Sequence, residues 1–260
     1  MPRNVKTLGR SVASHPGREP FVRALNAIEQ SKARTFQAVE PIFLQAMTDF
    51  DALVAIGQTN QGDRQNGKGD FLNDVLALLL ERCSGKKLHT RPGVPGLLFR
   101  THKLDVAYPP TGAVQLTIET KATGIPKHPG SPEQSANGRR GSADLEKRIK
   151  EAAFKDIDVK GEYARTLGQG GGATSDLTTW LRRTPPQNWL FLSVRVRSQS
   201  DLDKTSDFAH IASRWFEACG LFAYGHQDWD LAKPYEVKLV PTSVELDRIL
   251  AGVCSALRNL

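Results

Sequence analysis

The sequence predicts a mixed α/β fold in which a central sheet is covered by helices. Three observations predict it. Helical periodicity and strand-like runs alternate along the chain instead of occupying separate halves. Val114–Ala122 is apolar enough to be a central strand, and Trp189–Arg197 is a strand whose apolar run then alternates. Polar connections rich in glycine and proline separate the elements.

In chain order, residues 1–18 carry Gly, Pro, Ser and Arg and are expected to be loose. From Pro20 to Gln58, Phe21, Leu25 and Ile28, then Phe36, Val39, Phe43 and Met47, recur at three- and four-residue spacing. Pro41 lies inside this pattern and predicts two helices or one kinked helix. Thr59–Gly69 (TNQGDRQNGKG) reads as a loop. A helix is expected over Asp70–Arg82, deeply buried along Val75–Leu80, with Asp70 and Asp74 as acids favouring its N-terminal dipole. Leu97–Tyr108 reads as extended, Pro109-Pro110-Thr111-Gly112 as a turn and Val114–Ala122 as a strand, which together make a hairpin. Gly124–Ser142 reads as a long loop, Ala143–Leu167 as a charged helix and Gly168–Ala173 as a flexible run. A strand at Trp189–Arg197, a helix at Asp207–Phe222, a strand at Tyr235–Val240 and a helix at Ser243–Leu257 capped by Ser243 complete the order. The expected division is an N-terminal helical region, 1–65, followed by an α/β core, 66–260.

The 260 residues carry a net charge of +7. That excess favours a polyanionic partner, nucleic acid or an acidic membrane surface. No stretch is apolar enough to span a membrane and the N-terminus has no apolar signal region, so a cytoplasmic protein is expected. Cys83, Cys219 and Cys254 form no CxxC pair, which argues against a zinc finger, and each is expected to be a buried free thiol. The phosphate-binding pattern of a fused ATPase motor is absent.

The chemistry concentrates in Leu104-Asp105-Val106-Ala107-Tyr108 and Leu116-Thr117-Ile118-Glu119-Thr120-Lys121. Glu119 and Lys121 are two apart on one strand and share a face. Two charges on a central strand are costly unless they are used. If the hairpin pairs across Pro109–Gly112, Asp105 comes opposite the Glu119 region. Two carboxylates brought together repel each other, and a divalent cation removes that penalty. Mg²⁺ suits such oxygen ligands. Asp105 and Glu119, with the backbone carbonyl of Thr120, are the candidate ligands. Lys121 is the candidate to orient or deprotonate the attacking water, or to stabilise developing charge on a phosphate.

An Asp, a spacer and then Glu-x-Lys on adjacent strands resembles the PD-(D/E)xK nuclease superfamily. The resemblance rests on residues 97–124, and Leu104 stands where the nominal proline would be. It implies a restriction-endonuclease-like α/β fold, the helix–strand order being consistent over about 70–240. It also implies a Mg²⁺-dependent endonuclease hydrolysing phosphodiester bonds in double-stranded DNA. The specific expectation is a type II restriction endonuclease that cuts at a short sequence, as a homodimer matching the symmetry of two-strand cleavage. No small-molecule cofactor is expected. Many members carry an acid on the helix before the hairpin, and Asn73, four residues after Gly69, occupies that place here, where it could bond a metal-bound water. Lys127, Arg139 and Arg140 are candidates for phosphate contacts, Asn137 for base edges, and Arg195 and Arg197 for further DNA contacts, with Gln134 and Ser135 beside them. The competing readings are a repair or structure-selective nuclease of the same superfamily, and a basic DNA-binding module without catalysis.

Overall fold

The computed structural model describes residues 16–132, 135–166 and 185–260. The expected loose N-terminus, the Gly168–Ala173 run and Gln134 therefore lie outside the described residues, most of residues 1–18 included.

Two helices, α1 (Glu19–Ser31) and α2 (Glu40–Ala55), fill the first part of the chain. Pro41 kinks nothing. It sits in the first turn of α2, where its missing N–H has no partner to lose. The third helix, α3, runs from Gln61 to Ser84 and so corrects the loop expected at Thr59–Gly69. Asn60 caps it, accepting from the Asp63 amide at 2.8 Å, and Gly85 ends it with a left-handed φ of 75°. The glycines that suggest a loop have a packing reason in one case. A Cβ on Gly67 would lie 3.2 Å from Phe21, so the bare backbone lets α3 close on α1.

The strands are β1 (His89–Thr90), β2 (Gly93–Val94), β3 (His102–Lys103), β4 (Val106–Tyr108), β5 (Leu116–Thr123), β6 (Gln187–Arg195), β7 (Cys219–His226) and β8 (Tyr235–Lys238). Six of them form one mixed sheet in the order β1-β4-β5-β6-β7-β8, and β2 with β3 forms a separate two-stranded ribbon. Within the sheet β5, β6 and β7 are parallel, with antiparallel pairs at both ends. Among the described residues the remaining α-helices are α4 (Leu145–Thr166), α5 (Gln199–Ala212) and α6 (Leu246–Asn259).

Alternation along β6 divides the core. Leu190, Leu192 and Val194 face α4 and α5, and Phe191 faces the opposite layer of α1, α2, α3 and α6. That second layer is rich in aromatic rings: Phe21 stacks on Phe50 and Phe71, and Phe43 meets Phe222 edge to face.

Leu97–Tyr108, expected as one extended segment, holds only the short strands β3 and β4, which belong to different sheets, and two further elements differ from expectation. The helix expected at Asp207–Phe222 is α5, which begins at Gln199 behind the Ser198 cap, and Cys219–His226 is instead the parallel strand β7. A short run buried on both faces has no periodicity to mark it as a strand. The last helix starts at Leu246, with Thr242–Val244 forming a 3₁₀ turn where the Ser243 cap was expected. The boundary expected at 65/66 falls inside α3. Cys83 and Cys254 are bridged, tying α3 to α6, and only Cys219 is a buried free thiol as expected. Among the described residues no helix is long and apolar enough to cross a membrane.

Candidate active site

Strand register decides whether the three sequence candidates meet. Val106 pairs with Ile118 and Ala107 with Thr117, so one further step sets Asp105 opposite Glu119. Asp105 lies in the bend just before β4, not within a strand. Its Oδ2 accepts from the Thr120 amide at 2.7 Å and from the Thr120 hydroxyl at 3.1 Å, which fixes the carboxylate at the edge of β5.

Glu119 is 4% exposed. Lys121 donates to Glu119 Oε2 at 2.9 Å and lies 3.9 Å from Asp105 Oδ2. Burial works against the Lys121 charge, but Glu119 and then Asp105 outweigh it and hold the ammonium above its ordinary pKa. Lys121 also donates to the Thr120 carbonyl at 3.1 Å, the group expected among the metal ligands.

A second lysine, absent from the sequence candidates, reaches the same carboxylate. Lys155 on α4 donates to Glu119 Oε2 at 3.1 Å and to the Lys103 carbonyl, just upstream of Asp105, at 3.2 Å. Arg148 and Glu151 share its helix face and are paired at 3.1 Å. The signal for this face was weak, because nothing in the local pattern of α4 points to β5. It becomes visible once α4 is seen as the crossover between the parallel strands β5 and β6, which lays it over the sheet.

These groups wall a cleft of about 510 Å³. Asp105, Thr120 and Lys121 form its floor, Arg148, Glu151 and Lys155 one side, and Gln65, Asn66 and Asp70 of α3 the other. Asp70 is therefore mid-helix and faces the cleft, which corrects its reading as an N-terminal dipole acid. It is held at 2.8 Å by both Arg18 and Arg91. Asn73 does not line the cleft. It is 1% exposed, and the acidic residue of this helix that lines the cleft is Asp70. Asp74, one turn further along α3, is half-buried. Burial pushes its carboxyl up to about 7 despite the nearby Arg91.

A divalent cation fits this donor set. Glu119 Oε1 is buried with no hydrogen-bond partner, an orphaned oxygen beside a second carboxylate. Among the described residues no group of three or more His, Cys, Asp or Glu assembles as a metal cluster. The protein would thus supply two carboxylates and leave water to complete the shell, the arrangement Mg²⁺ tolerates best.

The expected DNA-contacting residues separate into two sets. Lys127, Arg139 and Arg140 are exposed, with Arg139 paired to Asp144 at 2.8 Å. Arg195 is 1% exposed and turned inward, which corrects its reading as a DNA contact. It bonds the Tyr235 hydroxyl at 2.5 Å, the Asn137 carbonyl at 2.8 Å and Asn137 Oδ1 at 2.7 Å. Asn137 is spent on that contact, and Arg197 bonds the Gly138 carbonyl at 2.6 Å. These three residues fasten the loop after β5 to β6, and Arg195 among them is wholly buried. Comparison with protein-family models, with curated proteins and with solved structures gives no match.

Proposed function

We propose that the protein is a Mg²⁺-dependent endodeoxyribonuclease of the PD-(D/E)xK kind, acting as a type II restriction endonuclease on double-stranded DNA. The observation that carries this reading is the convergence of Asp105, Glu119 and Lys121 across the β4–β5 register. The mixed sheet flanked by helices is compatible with a restriction-endonuclease-like fold. The cationic groups Lys121, Arg148 and Lys155 around one cleft suit a phosphodiester, and the net charge of +7 suits a polyanion.

Asp105 and Glu119 would hold the ion. When bound, it would make charge on the scissile phosphate easier to bear and water a stronger nucleophile. Lys121, kept charged between the two carboxylates, acts as a donor that orients water or binds a phosphate oxygen. Water adds to phosphorus, and the bond to the leaving sugar oxygen breaks. Two such sites in a homodimer would cut both strands.

Digestion of plasmid and phage DNA with Mg²⁺ tests the reading. Discrete fragments are expected, and Glu119→Ala or Lys121→Ala should lower the rate by about 10²-fold or more while DNA binding survives. A smear would favour a structure-selective or repair nuclease. A wild type that cuts no duplex with Mg²⁺ or Mn²⁺ would leave a basic DNA-binding module as the better account.

A further inference from the structure

Glu119 Oε2 carries two ammonium groups, Lys121 at 2.9 Å and Lys155 at 3.1 Å. With Asp105 as the second carboxylate, the charges at the centre of the cleft cancel. A neutral site is a poor host for a divalent ion, because each resident ammonium opposes the incoming charge over a few ångströms. Glu119 Oε1 is open to an ion, but engaging Oε2 as well, or lowering the opposing positive charge, requires one lysine to withdraw.

The two lysines are not equally free to do so. Lys121 belongs to β5 itself, is 17% exposed and also bonds its own strand at the Thr120 carbonyl. Lys155 arrives from another element on a long unbranched side chain and is 30% exposed. Its second acceptor is the Lys103 carbonyl, and Glu151 stands four residues before it on the same wall of the cleft. We infer that Lys155 is an exchangeable counter-cation of the metal site. It neutralises Glu119 in the metal-free protein, yields that carboxylate when a divalent ion binds, and so sets the metal affinity. The inference rests on the reading of Asp105 and Glu119 as metal ligands. Lys155 is a positioning residue in this role, acting through Glu119.

Calorimetric titration with Ca²⁺, without DNA, tests it on the full chain. Lys155→Met should bind Ca²⁺ on the order of tenfold more tightly than wild type, and Lys155→Arg close to wild type. A merely structural lysine predicts the opposite, since losing it would let Asp105 and Glu119 drift apart and weaken binding. Unchanged or weaker binding by folded Lys155→Met overturns the inference. Should that variant fail to fold, the wild type supplies the second measurement. Acetylation of Lys155, followed by mass spectrometry, should speed up when Ca²⁺ is added, and an unchanged rate overturns the inference. Glu119→Gln keeps the two failures distinguishable: Ca²⁺ binding that persists in it removes Glu119 as a ligand and sinks the site reading itself.

Discussion

Asp51 is the least exposed carboxylate on α2 that meets cations, and it shows how single residues hold this site from behind. Lys68 lies 2.6 Å from its Oδ1 and Arg195 3.6 Å from its Oδ2, and all three are at most 5% exposed. Lys68 also donates to the Gly124 carbonyl at 3.0 Å, where the chain leaves β5. The cluster therefore anchors both ends of the loop after the Glu119 strand, at Gly124 and at Asn137. Breaking one partner of a buried charge group strands the others. Arg195→Met should cost ~3–5 kcal/mol of stability in urea unfolding, and binding of DNA by the folded fraction should hardly change. A loss of DNA affinity without loss of stability would restore Arg195 as a direct contact. Asp74 gives a pH-dependent case. Its carboxyl titrates near 7 in the folded chain and near the ordinary 3.8 when unfolded, so the unfolded chain gives up this proton first. The stability this group contributes is thus lost as pH rises from about 4 to about 7, at up to ~1.4 kcal/mol per pH unit. Asp74→Asn should flatten that part of the profile. Parallel profiles for wild type and Asp74→Asn between pH 5 and 7 would show that the carboxyl is not perturbed.

At the scale of elements, α3 is the one that sequence pattern obscures most and the site needs most. Its first ten residues contain three glycines and almost no apolar side chain, so periodicity has nothing to register before Phe71. What makes them helical is one local contact, the Asn60 cap, and two tertiary ones, the Arg18–Asp63 pair at 2.7 Å and the close approach of Phe21 at Gly67. Those same ten residues, Gln61–Asp70, bring Gln65, Asn66 and Asp70 to the cleft. Asn60→Ala should therefore destabilise the protein by ~1 kcal/mol, measured by thermal or urea unfolding. No change would mean that the first turn of α3 is held without its cap. The hairpin was more legible. Glu119 and Lys121 needed only strand alternation to share a face, and Asp105 needed only the turn to lie opposite. Lys155 needed the crossover of α4, a long-range fact that no local spacing encodes.

For the whole molecule, the question is whether the N-terminal helices form a region apart. The mixed sheet and its covering helices are legible from alternating periodicities, but the division expected at 65/66 falls inside α3. Phe21, Phe36, Phe43 and Phe50 belong to the same buried cluster as Phe71, Phe191 and Phe222, so one face of the sheet is covered by residues on both sides of that boundary. Arg18 reaches across it as well, to Asp70. A chain comprising residues 66–260 would begin inside α3, without its cap and first turn. It would also expose Phe71 and Phe222, which meet Phe21, Phe36 and Phe43 and are at most 3% exposed in the full chain. Uncovering such side chains costs about 1.5–3 kcal/mol each, in sum a large part of the entire stability of an ordinary domain. The 66–260 fragment should therefore aggregate or lack a cooperative transition by circular dichroism and gel filtration, and the full chain should unfold in one step. A fragment that stays monomeric and melts cooperatively would make α1 and α2 an appendage, and the aromatic layer would then have to be stable without them.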